Sequence, residues 1–137
     1  MWKYYALLAA FCAALTAIFS KIGVRDIDSD LATAVRVTFI LFIVWAFALA
    51  SSGWKGILQM PSRTLFFLFL SAITTGLTWL FYFRALQLGD VSRVAPVDKL
   101  SVPLAMLLAF LFLGEPVTFK VLLGGLLITA GTLILLL

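Results

Sequence analysis

Three ionisable side chains stand inside long apolar runs of this 137-residue sequence: Arg36, Asp98 and Lys99. Charges in such surroundings are costly, and they persist where they pair with one another, face a water-filled path or hold a charged solute. Arg36 lies about five residues into its run, and Asp98 and Lys99 about seven into theirs, so all three sit roughly 8–11 Å deep by helical rise. Both runs start from the same side of the apolar layer, which puts the three charges at one level. Neighbouring residues on a helix point in different directions. An Arg36–Asp98 pair would therefore leave Lys99 facing a cavity, where an uncompensated cation attracts anionic groups. The expected site is one in which Lys99, helped by Arg36 and with Asp98 beside them, holds a carboxylate or phosphate. The competing arrangements are a closed ion network of the three residues and a Lys99 that snorkels to the interface.

Other residues extend this chemistry. Pro96 and Pro103 bracket Asp98 and Lys99, and each removes a backbone donor, so a kink is expected where the charges sit. Thr74, Thr75, Gly76, Thr78 and Trp79 form a small polar face beside aromatics, and Thr75 and Trp79 are candidates to line a path for an amphipathic solute. Metal and nucleophile–histidine chemistry lack their parts, because the sequence has no histidine and no cluster of acids in a polar stretch. No cofactor and no metal are expected. Cys12, the one cysteine, lies among Ala, Phe and Leu and reads as small apolar filler. The formal charge of +4 is spread among apolar runs rather than gathered in a basic patch, so nucleic acid is not an expected partner.

The elements that must position these residues follow from solvent. With 64% hydrophobic and 12% charged residues, the chain lacks the polar residues that would cover a soluble domain of this size, so lipid is its expected surroundings. Five apolar stretches, 4–22, 31–50, 64–86, 91–113 and 117–137, are each near the ~20 residues that cross ~30 Å of hydrocarbon. They carry no barrel-like alternation, so they are read as helices of one all-α membrane domain, residues 1–137. Asp28, Ser29 and Asp30 are placed to cap the second helix. Gly53, Gly56 and Pro61 interrupt the chain after it, and Gly89-Asp90 and Gly114-Glu115-Pro116 mark tight turns. Trp2, Tyr4, Tyr5 and Trp54 fall near span ends as interfacial anchors. The first stretch is long for a secretory signal and is followed by Lys21, Arg25 and three aspartates, a poor cleavage context, so it is expected to be a retained helix.

Five crossings put the two ends of the sequence on opposite sides of the membrane. One side then carries Lys3, Lys55, Arg63 and Lys120, and the other Lys21, Arg25, Arg84 and Arg93, with Arg36 and Lys99 deeper in the helices. Orientation follows an excess of Lys and Arg in short loops. An even division specifies no direction strongly, and the expectation is dual topology, with copies inserted both ways and paired antiparallel. The alternative is one orientation fixed by a single charge at the first helix.

The series Phe83-Arg84-Ala85-Leu86-Gln87-Leu88-Gly89-Asp90, then Val94-Ala95-Pro96, then Leu113-Gly114-Glu115, then a glycine-containing last helix, resembles the EamA domain of the drug/metabolite transporter superfamily over essentially the whole chain. The resemblance implies a five-helix half of a ten-helix permease, completed by a second copy or by a paralogous half-transporter, in a bacterial inner membrane. Gly124 and Gly131, seven residues apart on the last helix, are similar to the glycine pair of small multidrug-resistance transporters, which form antiparallel dimers, and are candidate dimer contacts. The membrane-embedded glutamate of those transporters has no counterpart here, since the first stretch holds no acid between Lys3 and Lys21, so facilitated movement is expected over proton exchange. The related sugar-phosphate translocators use Lys and Arg on comparable helices to hold phosphate, a loose parallel to Lys99 and Arg36. The expected function is therefore a permease subunit for an amino acid or other organic anion, or a drug, working by alternating access, and not an enzyme. A lipid-linked sugar flippase component and a non-transporting subunit of a larger membrane complex are the rival expectations.

Overall fold

The computed structural model describes residues 1–51 and 59–137. Its elements are α1 (Trp2–Gly23), α2 (Ser29–Ser51), α3 (Ser62–Leu88), α4 (Val91–Asp98), α5 (Ser101–Leu108), a π-helical turn (Ala109–Leu113) and α6 (Phe119–Leu136), with no strand among the described residues. The helices α4 and α5 and the π turn follow one another within a single apolar span, Val91–Leu113, so five spans are long and apolar enough to cross a membrane. Gly53, Trp54, Lys55 and Gly56, expected in the second connection, lie outside the described residues.

The helix ends differ from the apolar runs because backbone caps, not hydropathy, set them. Asp28 begins α2 earlier than its apolar run: its Oδ1 accepts from the backbone N–H groups of Asp30 at 2.9 Å and Leu31 at 3.1 Å. Two of the donors that a helix start leaves without partners are thereby satisfied. At the other extreme, α6 starts later than its apolar run. Thr118 is extended (φ −101°, ψ 150°), and its side chain accepts from Val121 N at 3.4 Å. Between these helices, Gly114 closes the π turn in the left-handed region at φ 65°, where a Cβ would be strained, and Glu115 N–H donates back to Ala109 O at 3.3 Å.

Within the fourth span the α-helical ladder breaks between Asp98 and Ser101. Pro103 has no N–H to offer the Lys99 carbonyl four residues back, and Val102 N–H takes that acceptor at 2.9 Å instead. Lys99 N–H and Leu100 N–H likewise donate to Pro96 O at 2.9 Å and Val97 O at 3.0 Å. A stretch of three-residue spacing thus joins two short α-helices, with Asp98 at the junction.

The described residues form two compact units, Phe19–Gln87 and Met1–Ile18 with Leu88–Leu137. In the first, burial is confined to one end, where the end of α1, the start of α2 and the end of α3 meet around Val24, Phe83 and Leu86, with Ala32, Ser29 and Thr33 also buried. Polar bonds tie that corner. Lys21 Nζ donates to Leu86 O, a carbonyl in the last turn of α3, and Gln87 Nε2 donates to Val24 O at 2.9 Å and Ile27 O at 2.6 Å, both beyond the end of α1. Leu86 O is one of the carbonyls that a helix end leaves without a backbone partner, and the other two lie in the connection from α1 to α2.

In the second unit α4 and α5 pack on α6. Gly125 admits the Met106 sulfur so closely that a Cβ there would lie 3.2 Å from it. Thr132, buried, donates to Ile128 O of its own helix at 2.7 Å and reaches Pro96 O at 3.5 Å. Elsewhere both units turn large apolar side chains outward, Phe42, Phe47, Phe81 and Phe112 among them, a surface suited to hydrocarbon and not to water.

Replacing Gln87 by Leu deletes the donor to two carbonyls, one of them on fully buried Val24. We expect a loss of about 1–2 kcal/mol of stability, measurable by denaturant unfolding of the protein in mixed micelles. A change within error would show that the corner is held by packing alone.

Candidate functional site

The site residues are divided between the two units. In the first, Trp79 and Phe83 stand four residues apart on α3 and so share a helix face. Across from them on α2 is Arg36, its guanidinium carbon 4.8 Å from the Trp79 ring centroid and 5.3 Å from that of Phe83. Within this unit the cation thus rests on two aromatic rings rather than on a carboxylate. A planar, weakly hydrated guanidinium suits that surface better than an ammonium would. Phe83 is buried at 3% exposure and Trp79 is half-buried, so the rings form a fixed platform.

Trp79 also lines a cleft of about 460 Å³ between α2 and α3, with Val37, Ile40, Val44 and Trp45 on one wall and Ser71, Thr75 and Gly76 on the other. Its hydroxyl chemistry is uneven. Thr74 and Thr78 turn their hydroxyls back onto their own helix, donating to Ser71 O at 2.9 Å and Thr74 O at 2.9 Å. Thr75 makes no such bond among the described residues and lines the cleft. The cleft is therefore largely apolar, with the hydroxyl residues Ser71 and Thr75 along it and one cation held over Trp79 at its end.

In the second unit, Lys99 Nζ and Asp98 Oδ2 form an ion pair at 3.0 Å. Lys99 is not the solitary cation expected from an ideal helix. It is the C-terminal cap of α4, where the ladder changes spacing, and adjacent side chains converge there. The pair stays accessible, with Lys99 54% and Asp98 31% exposed. Pro96 and Pro103 lie on either side of it. Gly124 and Gly131 on α6 meet open space, since a Cβ built on either would have nothing within 4 Å, in contrast to Gly125. A smaller cleft of about 250 Å³ between α5 and α6 is lined by Pro103, Met106, Phe110, Gly125 and Thr129 among others and holds no charged residue.

Two participants escaped the sequence reading. Phe83 as a second ring under Arg36 had a usable signal, its spacing of four from Trp79. Gln87 had none beyond membership in the Phe83 to Asp90 motif, because the carbonyls it serves are 60 and 63 residues away.

Five helices among the described residues, each long and apolar enough to cross a membrane, define a polytopic membrane protein. The EamA-like transporter family model matches residues 1–137. A protein from a Sinorhizobium species, described as an uncharacterized transporter in the cobO 3' region, is 48% identical over 134 residues, covering 98% of this chain and 95% of that protein. No solved structure matches the chain significantly. The chain belongs to the EamA-like transporter family, and its five-helix size fits a half-size member. It is a multi-pass transporter of the bacterial inner membrane, in contact with lipid.

The ring platform makes a quantitative demand. In a double-mutant cycle with Arg36→Met and Trp79→Leu, we expect a favourable coupling of about 0.5–2 kcal/mol in micelle unfolding. Strict additivity would mean that guanidinium and indole do not interact.

Proposed function

We propose that the chain is one half of a permease that moves a small organic anion, an amino acid or related metabolite, across the inner membrane by alternating access, and that its partner is a second copy in the opposite orientation. The observation that carries this reading is Arg36: a permanent cation within a span, placed on aromatic rings at the end of a cleft and facing no carboxylate in its own unit. A charge kept inside a membrane span without a neutralising partner is suited to a charged solute. Arg36, with Trp79 and Thr75, supplies the principal substrate contacts. Lys99 and Asp98, in the other unit, form an accessible ion pair that can meet a charged solute there, and the interrupted ladder between Pro96 and Pro103 gives their helix a place to bend.

Pairing of inverted copies is supported by the even division of Lys and Arg between the two sides, and by the open faces of Gly124 and Gly131, where another helix can approach closely. The two units act together as one transmembrane domain. The path runs between the paired subunits, as in transporters built from inverted halves. Movement is facilitated, since Asp98, the acid at the break in the fourth span, is ion-paired.

The test is flux into proteoliposomes of labelled amino acids and organic acids, comparing wild type with Arg36→Ala and Lys99→Ala. Loss of a charge-assisted contact worth about 1.5–3 kcal/mol lowers flux at sub-saturating substrate roughly ten- to a hundredfold for Arg36→Ala. A smaller fall is expected for Lys99→Ala. Equal transport by all three proteins would remove the proposed anion site.

A further inference from the structure

Resting on that reading, we infer that the ligand of the α2–α3 cleft is an amphipathic carboxylate, an anion whose charged end meets Arg36 and whose flat apolar body lies along Trp79 in the cleft. The first element is the way Arg36 is held. Aromatic rings attract the guanidinium without accepting its hydrogen bonds, so the donors that would have been consumed by a carboxylate of the protein remain for one on a ligand. A planar carboxylate matches them two at a time.

The second element is the cleft that continues from this cation. Trp79 belongs to both: its ring lies under the guanidinium and it also lines the cleft. From Arg36 to Trp45 the α2 wall runs nine residues, roughly 13 Å by helical rise, with Val37, Ile40 and Val44 between them. At about 460 Å³ the space is of the size that small-molecule sites have, and far larger than an acetate or a phosphate needs. Its walls offer little to a strongly hydrated body such as a sugar, since the polar groups are confined to Ser71 and Thr75 on one side. Thr75, whose hydroxyl is not returned to its own helix, stands one turn from Trp79, within the same face, and provides one hydrogen bond to a substituent on the ligand.

Charge at one end and an apolar, aromatic-lined trough behind it together select a molecule that has both features. A small hydrophilic anion would leave the trough unfilled, and an aromatic cation would bring like charge to Arg36. Each should be rejected.

The experiment is equilibrium binding of radiolabelled indole-3-acetate to the whole protein in phosphatidylcholine nanodiscs, with 3-phenylpropionate, acetate, inorganic phosphate and tryptamine as competitors. Displacement by 3-phenylpropionate alone is expected, with affinity falling about tenfold or more in Arg36→Lys, which keeps the charge and loses the planar fork, and in Trp79→Leu. Helical circular dichroism and a monodisperse elution profile establish that these variants fold, and Trp79→Phe, which retains a ring, should recover most of the affinity. Equal displacement by acetate or phosphate would show that charge alone is read and overturn the inference. So would displacement by tryptamine, or unchanged affinity in Arg36→Lys, or loss of binding when the discs contain phosphatidylglycerol, which would assign the cleft to an anionic lipid. Binding of this pattern without flux in proteoliposomes upholds the inference and sinks the permease reading. Flux of hydrophilic anions with no saturable indole-3-acetate binding does the reverse.

Discussion

Every backbone N–H and C=O in the hydrocarbon layer must find a partner inside the protein, and the architecture of this chain follows from that constraint. Long helices satisfy most groups, so the informative places are those where a helix stops or changes spacing. At each, a particular side chain or backbone donor takes over: Asp28 at the start of α2, Thr118 at the start of α6, Gly114 with Glu115 at the end of the π turn, and Lys21 with Gln87 at the corner of α1, α2 and α3. Because lipid gives apolar side chains no reason to leave the surface, these polar corners and small-residue contacts such as Gly125 on Met106 carry much of the burden that a buried apolar core carries in water.

The same constraint shapes the chemistry. Pro103 deprives the Lys99 carbonyl of its usual donor, the ladder shortens its step, and the junction is where Asp98 and Lys99 find each other. Arg36 is accommodated differently, with its guanidinium over the rings of Trp79 and Phe83. Lys99 thus has a carboxylate beside it, whereas Arg36 lies over aromatic rings within its own unit.

Much of this was legible in the sequence and some was not, for identifiable reasons. Five spans and their order could be read because hydrocarbon thickness demands about twenty apolar residues and nothing else in a short chain imitates that. Their ends shifted by about two residues, since caps rather than hydropathy decide where a helix begins. The candidate charges stood out by their surroundings. Their partners did not, because the direction of a side chain near a break in the ladder departs from ideal helical geometry, and because the rings that receive Arg36 lie some forty residues further along the chain. Gln87 shows the same lesson: a polar residue near a helix end has an obvious kind of job, while the acceptors it serves are known only from the fold.

A single copy presents a chain whose helices are largely uncovered and whose positive charges favour neither side, and the central proposal is that a second copy, inverted, completes it. The direct measurement is to fuse alkaline phosphatase, active only outside the cytoplasm, and green fluorescent protein, fluorescent only inside it, separately to Leu137, and to read both at matched expression. Inverted pairing predicts substantial activity from both fusions. Activity from just one would contradict it.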